Sequence, residues 1–194
     1  MEPVIILVRP QLGENIGAVA RAMANFGLSE LRIVAPRDGW PNPAAEAMAT
    51  NAGHILKNTK IYPDNAAAFA DITRAYATTA RPREIEKRVL SPQEAVSEMA
   101  GSLDDRMIKM ALVFGPERTG LENEDIAWCE TIITIPTTEH ASLNIAQSMV
   151  IMGYEWFRQS AEFRVRSSEE TPESNAASLA EYDGLFTQLE RYLE

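Results

Sequence analysis

Three stretches of this 194-residue chain place polar groups where a ligand could meet them. Thr78-Thr79-Ala80-Arg81 offers two hydroxyls beside small side chains. Residues 115–121, GPERTGL, set a carboxylate, Glu117, between two glycines that let backbone come close to a ligand. Residues 135–144, IPTTEHASLN, end in Ser142, Leu143 and Asn144 at the mouth of an apolar helix. Each stretch also has a plain structural alternative. GPERTG reads as a simple turn, Ser142 as an N-cap whose hydroxyl takes an orphan N–H, and Asn144 as a polar residue of a first helical turn. A helix running from Asn15 to about Phe26 adds Asn15, equally an N-cap or a site residue, and a row of Gly17, Arg21 and Asn25 at four-residue spacing. Arg81, Arg83, Lys87 and Arg88 form a local basic patch, suited to nucleic-acid phosphates or simply to solvent. The usual nucleotide devices are missing: there is no G-x-x-x-x-G-K-[ST] and no G-x-G-x-x-G after the first strand. With two histidines and one cysteine, no protein metal site is expected.

The elements that must position these groups follow from periodicity. Val4–Val8 is a continuous apolar run, the pattern of a strand covered on both faces. Further strands are expected at 31–35, 60–62 (weakly), 75–79, 110–114 and 131–135, the last ended by Pro136. Between them the pattern predicts helices from Pro43 to Ala49, Asn65 to Ile72, Ser91 to Ala100 (opened by a Ser91/Glu94 capping box) and Glu122 to Ala127. Strands alternating with helices imply an α/β domain with a mainly parallel sheet, and in open sheets of this class ligands bind beyond the carboxyl ends of the strands. All three polar loops sit there. The helix read from Leu143 to Phe157 is apolar nearly all round, so the domain core or a second subunit must bury it on several faces.

Composition limits the remaining options. Hydrophobic content of 45% supports a real core. Net charge is −10, and the last 36 residues, with three basic and eight acidic side chains, carry half of it. That balance opposes indiscriminate nucleic-acid binding but permits a local basic patch. No apolar run is long enough to span a membrane, MEPVIILVRP reads as a strand rather than a signal peptide, and the lone Cys129 excludes an intrachain disulfide and fits a reducing compartment. The expected organisation is an α/β domain over 1–158, an acidic linker over 159–175 and a helix within 176–194 striped by Leu179, Tyr182, Leu185, Phe186, Leu189 and Tyr192.

Three segments, NIGAVARAMANFG (15–27), LVFGPERTGL (112–121) and IPTTEHASLNIAQSMVIMGYE (135–155), together resemble the SpoU/TrmH branch of the SPOUT RNA 2′-O-ribose methyltransferases, in that family's order. Within the branch the chain is most similar to the TrmJ type, which methylates cytidine or uridine 32 in the anticodon loop of tRNA. The resemblance implies a C-terminal trefoil knot, S-adenosylmethionine as methyl donor without a metal, a homodimer, an RNA partner (tRNA as substrate, with ribosomal RNA or a non-catalytic RNA-binding module as alternatives) and a cytoplasmic setting. It further implies cofactor contacts from Thr78, Thr79, Ala80, Gly115, Ile135, Ala141, Ser142 and Leu143, and a ribose side built from Asn15, Arg21, Glu117, Ser142 and Asn144. The resemblance implies Arg21 as a general base; because a guanidinium holds its proton at neutral pH, a role in anchoring phosphate and stabilising the reacting oxygen is physically easier, with Gly17 leaving room for substrate beside it. Arg81, Arg83, Lys87 and Arg88 are expected on the RNA. The C-terminal helix is expected to begin a truncated extension.

Overall fold

A computed structural model describes residues 2–80, 86–102, 107–139 and 142–159. The acidic linker beyond Gln159 and the helix within 176–194 lie outside the described residues. Within them, seven strands form one parallel sheet: β1 (Val4–Val8), β2 (Leu31–Val34), β3 (Lys60–Tyr62), β4 (Arg74–Thr78), β5 (Arg88–Leu90), β6 (Met110–Phe114) and β7 (Thr131–Ile133), in the order β3-β2-β1-β6-β4-β7-β5. Every ladder is parallel. The side-chain period of two explains the unbroken apolar runs. Ile5 and Leu7 of β1 and Leu112 and Phe114 of β6 enter one core layer, while Val4, Ile6, Val8, Ala111 and Val113 enter the other.

The first layer is covered by α1 (Gly13–Asn25), α2 (Pro43–Ala49), α3 (Gly53–Asn58), α5 (Pro92–Gly101) and α7 (Ile145–Gln159). The second is covered by α4 (Asn65–Phe69) and α6 (Asn123–Ala127). Local chemistry sets the helix starts. Asn42 accepts at Oδ1 from the N–H groups of Ala44 and Ala45 ahead of Pro43. Ser91 and Glu94 close the expected capping box on α5.

The structure moves several boundaries. Helix α1 begins at Gly13, so Asn15 lies inside it and caps nothing. Helix α7 begins at Ile145 and Asn144 caps it: its Oδ1 accepts from Ala146 N at 2.8 Å and its own N–H donates to Gln147 Oε1 at 3.0 Å, which corrects the reading of Ser142 as N-cap. Helix α3 and strand β5 had not been expected. Strand β5 is a three-residue edge strand whose Val89 is 59% exposed, too short and too wet to show a periodicity. Gly17 leaves no room for substrate. A Cβ there would run into the Ala45 carbonyl and Met48 of α2, so the glycine sets the close α1–α2 approach.

One charged cluster clamps the opposite end of the sheet from the loops. Arg32 of β2 is 1% exposed, yet its guanidinium donates to Asp71 (2.5 Å), Glu30 (2.7 Å) and the Ala68 carbonyl (2.7 Å). Lys109, just before β6, reaches Asp71 at 2.9 Å and Glu30 at 3.2 Å. A buried guanidinium is tolerated only when its donors are matched in this way.

Two predictions follow from the packing and the ion cluster. Gly17→Ala is expected to destabilise the chain by about 1–3 kcal/mol through overpacking, read as a lower urea midpoint with an unchanged m-value. Hydrogen bonding from Arg32 holds the Asp71 carboxyl below the usual carboxylate range. A carboxylate depressed on folding stabilises above its unfolded value, about pH 4, and that stabilisation is lost as pH falls through its folded value. Calorimetry should therefore show Asp71→Asn with a lower Tm than the parent at pH 7 and a smaller deficit near pH 3.

Candidate active site

The loops that follow β6, β4 and β7 converge at the carboxyl rim of the sheet around a cavity of about 380 Å³, with the loop after β1 beside them. Its size is that of a small-ligand pocket. Of the residues expected to hold a cofactor, Thr78, Thr79, Ala80, Gly115, Ile135, Ser142 and Leu143 all line it, and Ala141 lies outside the described residues. Backbone ladders hold the walls. Thr79 N donates to Ile133 O at 3.0 Å, Thr134 N to Leu90 O at 3.0 Å, and the Thr134 hydroxyl to Thr79 O at 3.2 Å. The Thr78 hydroxyl donates to Val113 O at 2.8 Å, so toward a ligand it can only accept. Gly115 has a different reason from the expected one. A Cβ there would collide with the backbone of Gly120 and Leu121, so this glycine lets its own loop fold back. Glu117, expected on the ribose side, also lines the cavity, as do seven further residues: Phe114, Pro116, Arg118, Gly120, Ile133, Ile145 and Ser148. Four of these seven, Phe114 to Gly120, sit in LVFGPERTGL, and Ser148 lies one helical turn beyond Asn144, the signal that would have found it.

Beside the cavity, three residues distant in sequence form a hydrogen-bonded chain. The Glu117 carboxylate accepts from Gln11 N (2.8 Å), Leu12 N (3.2 Å) and Asn15 Nδ2 (2.8 Å). Asn15 Oδ1 in turn accepts from Asn144 Nδ2 at 2.9 Å. Glu117 thus supports the start of α1 and orients Asn15, and Asn15 orients the residue that caps α7. Both carboxylate oxygens already accept from the protein, a geometry for positioning rather than for free proton abstraction. Ser142 is exposed at the cavity edge without joining the chain, and Asn144 is exposed between the lining residues Leu143 and Ile145, its amide bonded to Asn15 and Ala146.

Arg21 is not brought to this corner. It lies on the exposed face of α1, six residues beyond Asn15, which is about 9 Å along the axis, and among the described residues no hydrogen bond or ion pair holds it. The basic patch divides. Arg81 and Arg83 lie outside the described residues. Lys87 does not point to solvent: its ammonium donates to the carbonyls of Ile126 (2.7 Å), Ala127 (3.3 Å) and Cys129, capping the end of α6. That commitment corrects its reading as an RNA contact. Arg88 is exposed but pairs with Glu98 at 2.7 Å. Burial pushes the Cys129 thiol up to about 12, so it is no nucleophile at neutral pH. Among the described residues, no group of three or more His, Cys, Asp or Glu side chains is placed to hold a metal ion.

The family model described as the SpoU rRNA Methylase family matches residues 2–154. Among curated proteins, the chain is 37% identical over 156 residues to an uncharacterized tRNA/rRNA methyltransferase, LasT, of Escherichia coli K12, covering 80% of this chain and 68% of that protein. It is 34% identical over 155 residues to the tRNA (cytidine-2′-O-)-methyltransferase TrmJ of Methanocaldococcus jannaschii, covering 78% and 65%. The chain therefore spans about two thirds of the length of these relatives. The crystal structure of TrmJ from Zymomonas mobilis ZM4 superposes with a TM-score of 0.76 at 44% identity, covering 100% of this chain and 80% of that one.

Glu117→Ala removes the acceptor for three donors at once. It is expected to cost about 1–3 kcal/mol, the penalty of unsatisfied donors. Hydrogen exchange should show the Gln11 and Leu12 amides opening faster while the β1 amides stay protected.

Proposed function

Since the chain belongs to the SpoU rRNA methylase family, we propose that it is an S-adenosylmethionine-dependent RNA 2′-O-ribose methyltransferase acting on tRNA, at cytidine or uridine 32 of the anticodon loop. The observation that carries this reading is the adjoining of a ligand-sized cavity and the Glu117–Asn15–Asn144 chain at the sheet rim. Transfer RNA is favoured over ribosomal RNA because TrmJ, similar in both sequence and structure, is named for tRNA 2′-O-methylation.

The cavity fits the donor. Apolar Leu143 and Ile135 suit an adenine face, the Thr78 hydroxyl oxygen offers an acceptor, and the exposed Ser142 offers a hydroxyl at the edge. The donor would supply an electrophilic methyl carbon on a sulfonium, leaving S-adenosylhomocysteine when that carbon is taken. This chain's own task is then geometric: to hold the 2′-oxygen in line with the methyl carbon, about 3 Å away, and to favour loss of its proton. Asn144, held by Asn15, presents its amide to the ribose. Ser142 bridges ribose and cofactor sides. Arg21, on the exposed face of α1, anchors an RNA phosphate away from the corner, a role its permanent charge and forked donors suit. Arg81 and Arg83 contact RNA backbone, with Arg88 at the periphery.

The reading includes a homodimer through the open face of α1 and α7, supported by Val150 and Tyr154, which are 44% and 51% exposed beside Phe26. It includes a trefoil knot, supported by the insertion of β7 between β4 and β5, and a domain over 1–158 followed by an extension. Among the described residues, no helix is long and apolar enough to cross a membrane, and the proposed setting is the cytoplasm.

Incubation with labelled S-adenosylmethionine and undermodified tRNA, followed by nucleoside mass spectrometry, should reveal 2′-O-methylcytidine or 2′-O-methyluridine at position 32. Arg21→Ala and Arg21→Lys should each lower kcat/KM by about 10- to 100-fold, the scale of losing a hydrogen bond to a charged group. Methylation confined to ribosomal RNA would overturn the substrate. Cofactor binding by calorimetry without transfer to any RNA would overturn the enzyme.

A further inference from the structure

The rim carries a second charged feature on the far side of the Glu117 corner from the cavity. The loop after β2 runs from Ala35 to Asn42 and is held rigidly from several sides. Ala35 N donates to Tyr62 O at 3.0 Å, Arg37 N to Pro10 O at 3.1 Å and Gly39 N to Pro36 O at 3.3 Å. Asn42 caps α2 and its side chain fills the space above Gly13, at the first turn of α1. Trp40 packs against the core from the same loop. None of these contacts uses the Arg37 guanidinium. Its Nε and Nη2 donate to the two oxygens of Asp38 at 2.7 and 2.9 Å, and the two side chains are 52% and 46% exposed. An ion pair between sequence neighbours that is this exposed contributes little to holding a loop. The loop is built without it, and the fork is displayed to solvent.

Position completes the case. Strand order places β2, β1, β6, β4 and β7 side by side, so their loops succeed one another along the rim. The cavity lies over β6, β4 and β7, and the Glu117 chain over β1 and β6. Arg37 stands one strand further, about 5 Å in a sheet, anchored to Pro10 beside the two amides that Glu117 holds. Asp38 first, and then Glu117, holds the guanidinium proton more firmly than usual, which places Arg37 within the field of the corner. Two other cations at this end are committed elsewhere, Arg9 to Asp125 and Glu122 and Lys87 to the end of α6, while Arg118 lines the cavity itself.

We infer that Arg37 is a substrate-positioning residue that grips an RNA backbone phosphate beside the reacting ribose, with Asp38 occupying its fork until RNA arrives. This rests on the RNA methyltransferase reading of the corner. A chain whose 2′-oxygen sits at Asn144, with the donor filling the β4 side, has its path open toward β2. A planar fork already matched to a carboxylate matches a phosphate with the same two donors. Exchange of Asp38 for phosphate needs no change in the loop, because the loop does not depend on the pair.

The test uses a tRNA transcript and the full chain. Arg37→Ala should raise KM for the transcript about tenfold, with the loss falling on KM rather than kcat. It should also lower the salt slope of filter-binding affinity by about one phosphate contact, leaving Tm and the calorimetric Kd for S-adenosylmethionine at parental values. Asp38→Asn should tighten transcript binding. Parental KM and salt slope in Arg37→Ala would overturn the inference, as would a fall in Tm or cofactor affinity that accounts for the loss. If the parent binds the transcript with a slope that Arg37→Ala reduces, yet methylates no RNA, the phosphate contact stands and the methyltransferase reading falls. If the parent neither binds nor methylates the transcript, both fall.

Discussion

The Glu117 carboxylate holds the working end of this molecule together. The turn between β1 and α1 exposes the N–H groups of Gln11 and Leu12, and half-buried backbone donors need partners. A side chain from the loop after β6 supplies both and has an oxygen left for Asn15. Asn15 passes the connection to Asn144, and through it to the first turn of α7. Three segments far apart in sequence thereby share one small network, which the low dielectric of a partly buried site strengthens. The carboxylate fits this task because it accepts in several directions at once.

That network would not form unless α1 were gripped firmly on both sides. Gly17 brings α2 against one flank, and Gly153 of α7 meets Phe26 at the other end, where a Cβ would press on the ring. Helix α1 therefore has little freedom to slide, and Asn15 keeps its register with Glu117. At the opposite edge of the sheet, Arg32 and Lys109 tie β2, β6 and the end of α4 through Asp71 and Glu30. The site loops sit on a base clamped where chemistry is absent.

Much of this was readable from residue patterns. Strands β1 and β6 and helix α2 fall where periodicity and Pro43 place them, because each is either apolar throughout or opened by strong local chemistry, and the weakly expected β3 falls at Lys60–Tyr62. Asn15, Glu117 and Asn144 were singled out, but the links among them were not, since hydrogen bonds between distant segments leave no local signature. The same limit hid the fate of Lys87: its charge suited RNA, while the carbonyls at the end of α6 that hold it lie about forty residues away. Gly17 and Gly115 were recognised as places where a side chain could not fit. What they make room for, a neighbouring helix and a folded-back loop, required the third dimension. The start of α7 was missed because Ser142 and Asn144 are equally good caps by type, and the bonds Asn144 makes with Ala146 and Gln147 are what favour the second.

Strand β7 enters the sheet between β4 and β5, both of which precede it in the chain. Those two cannot pair with each other and wait for it; a gap one strand wide must persist until Thr131–Ile133 is available to bridge them. Contacts of long sequence separation form slowly because loop closure comes before any reward. Thr79 bonds β7 through its N–H and the exit of β7 through its carbonyl, so a chain that ends before Thr131 lacks one wall of the ligand cavity. A growing chain that stops short of β7 therefore carries the other strands without the pocket, and the cavity closes only after its sheet neighbours are in place.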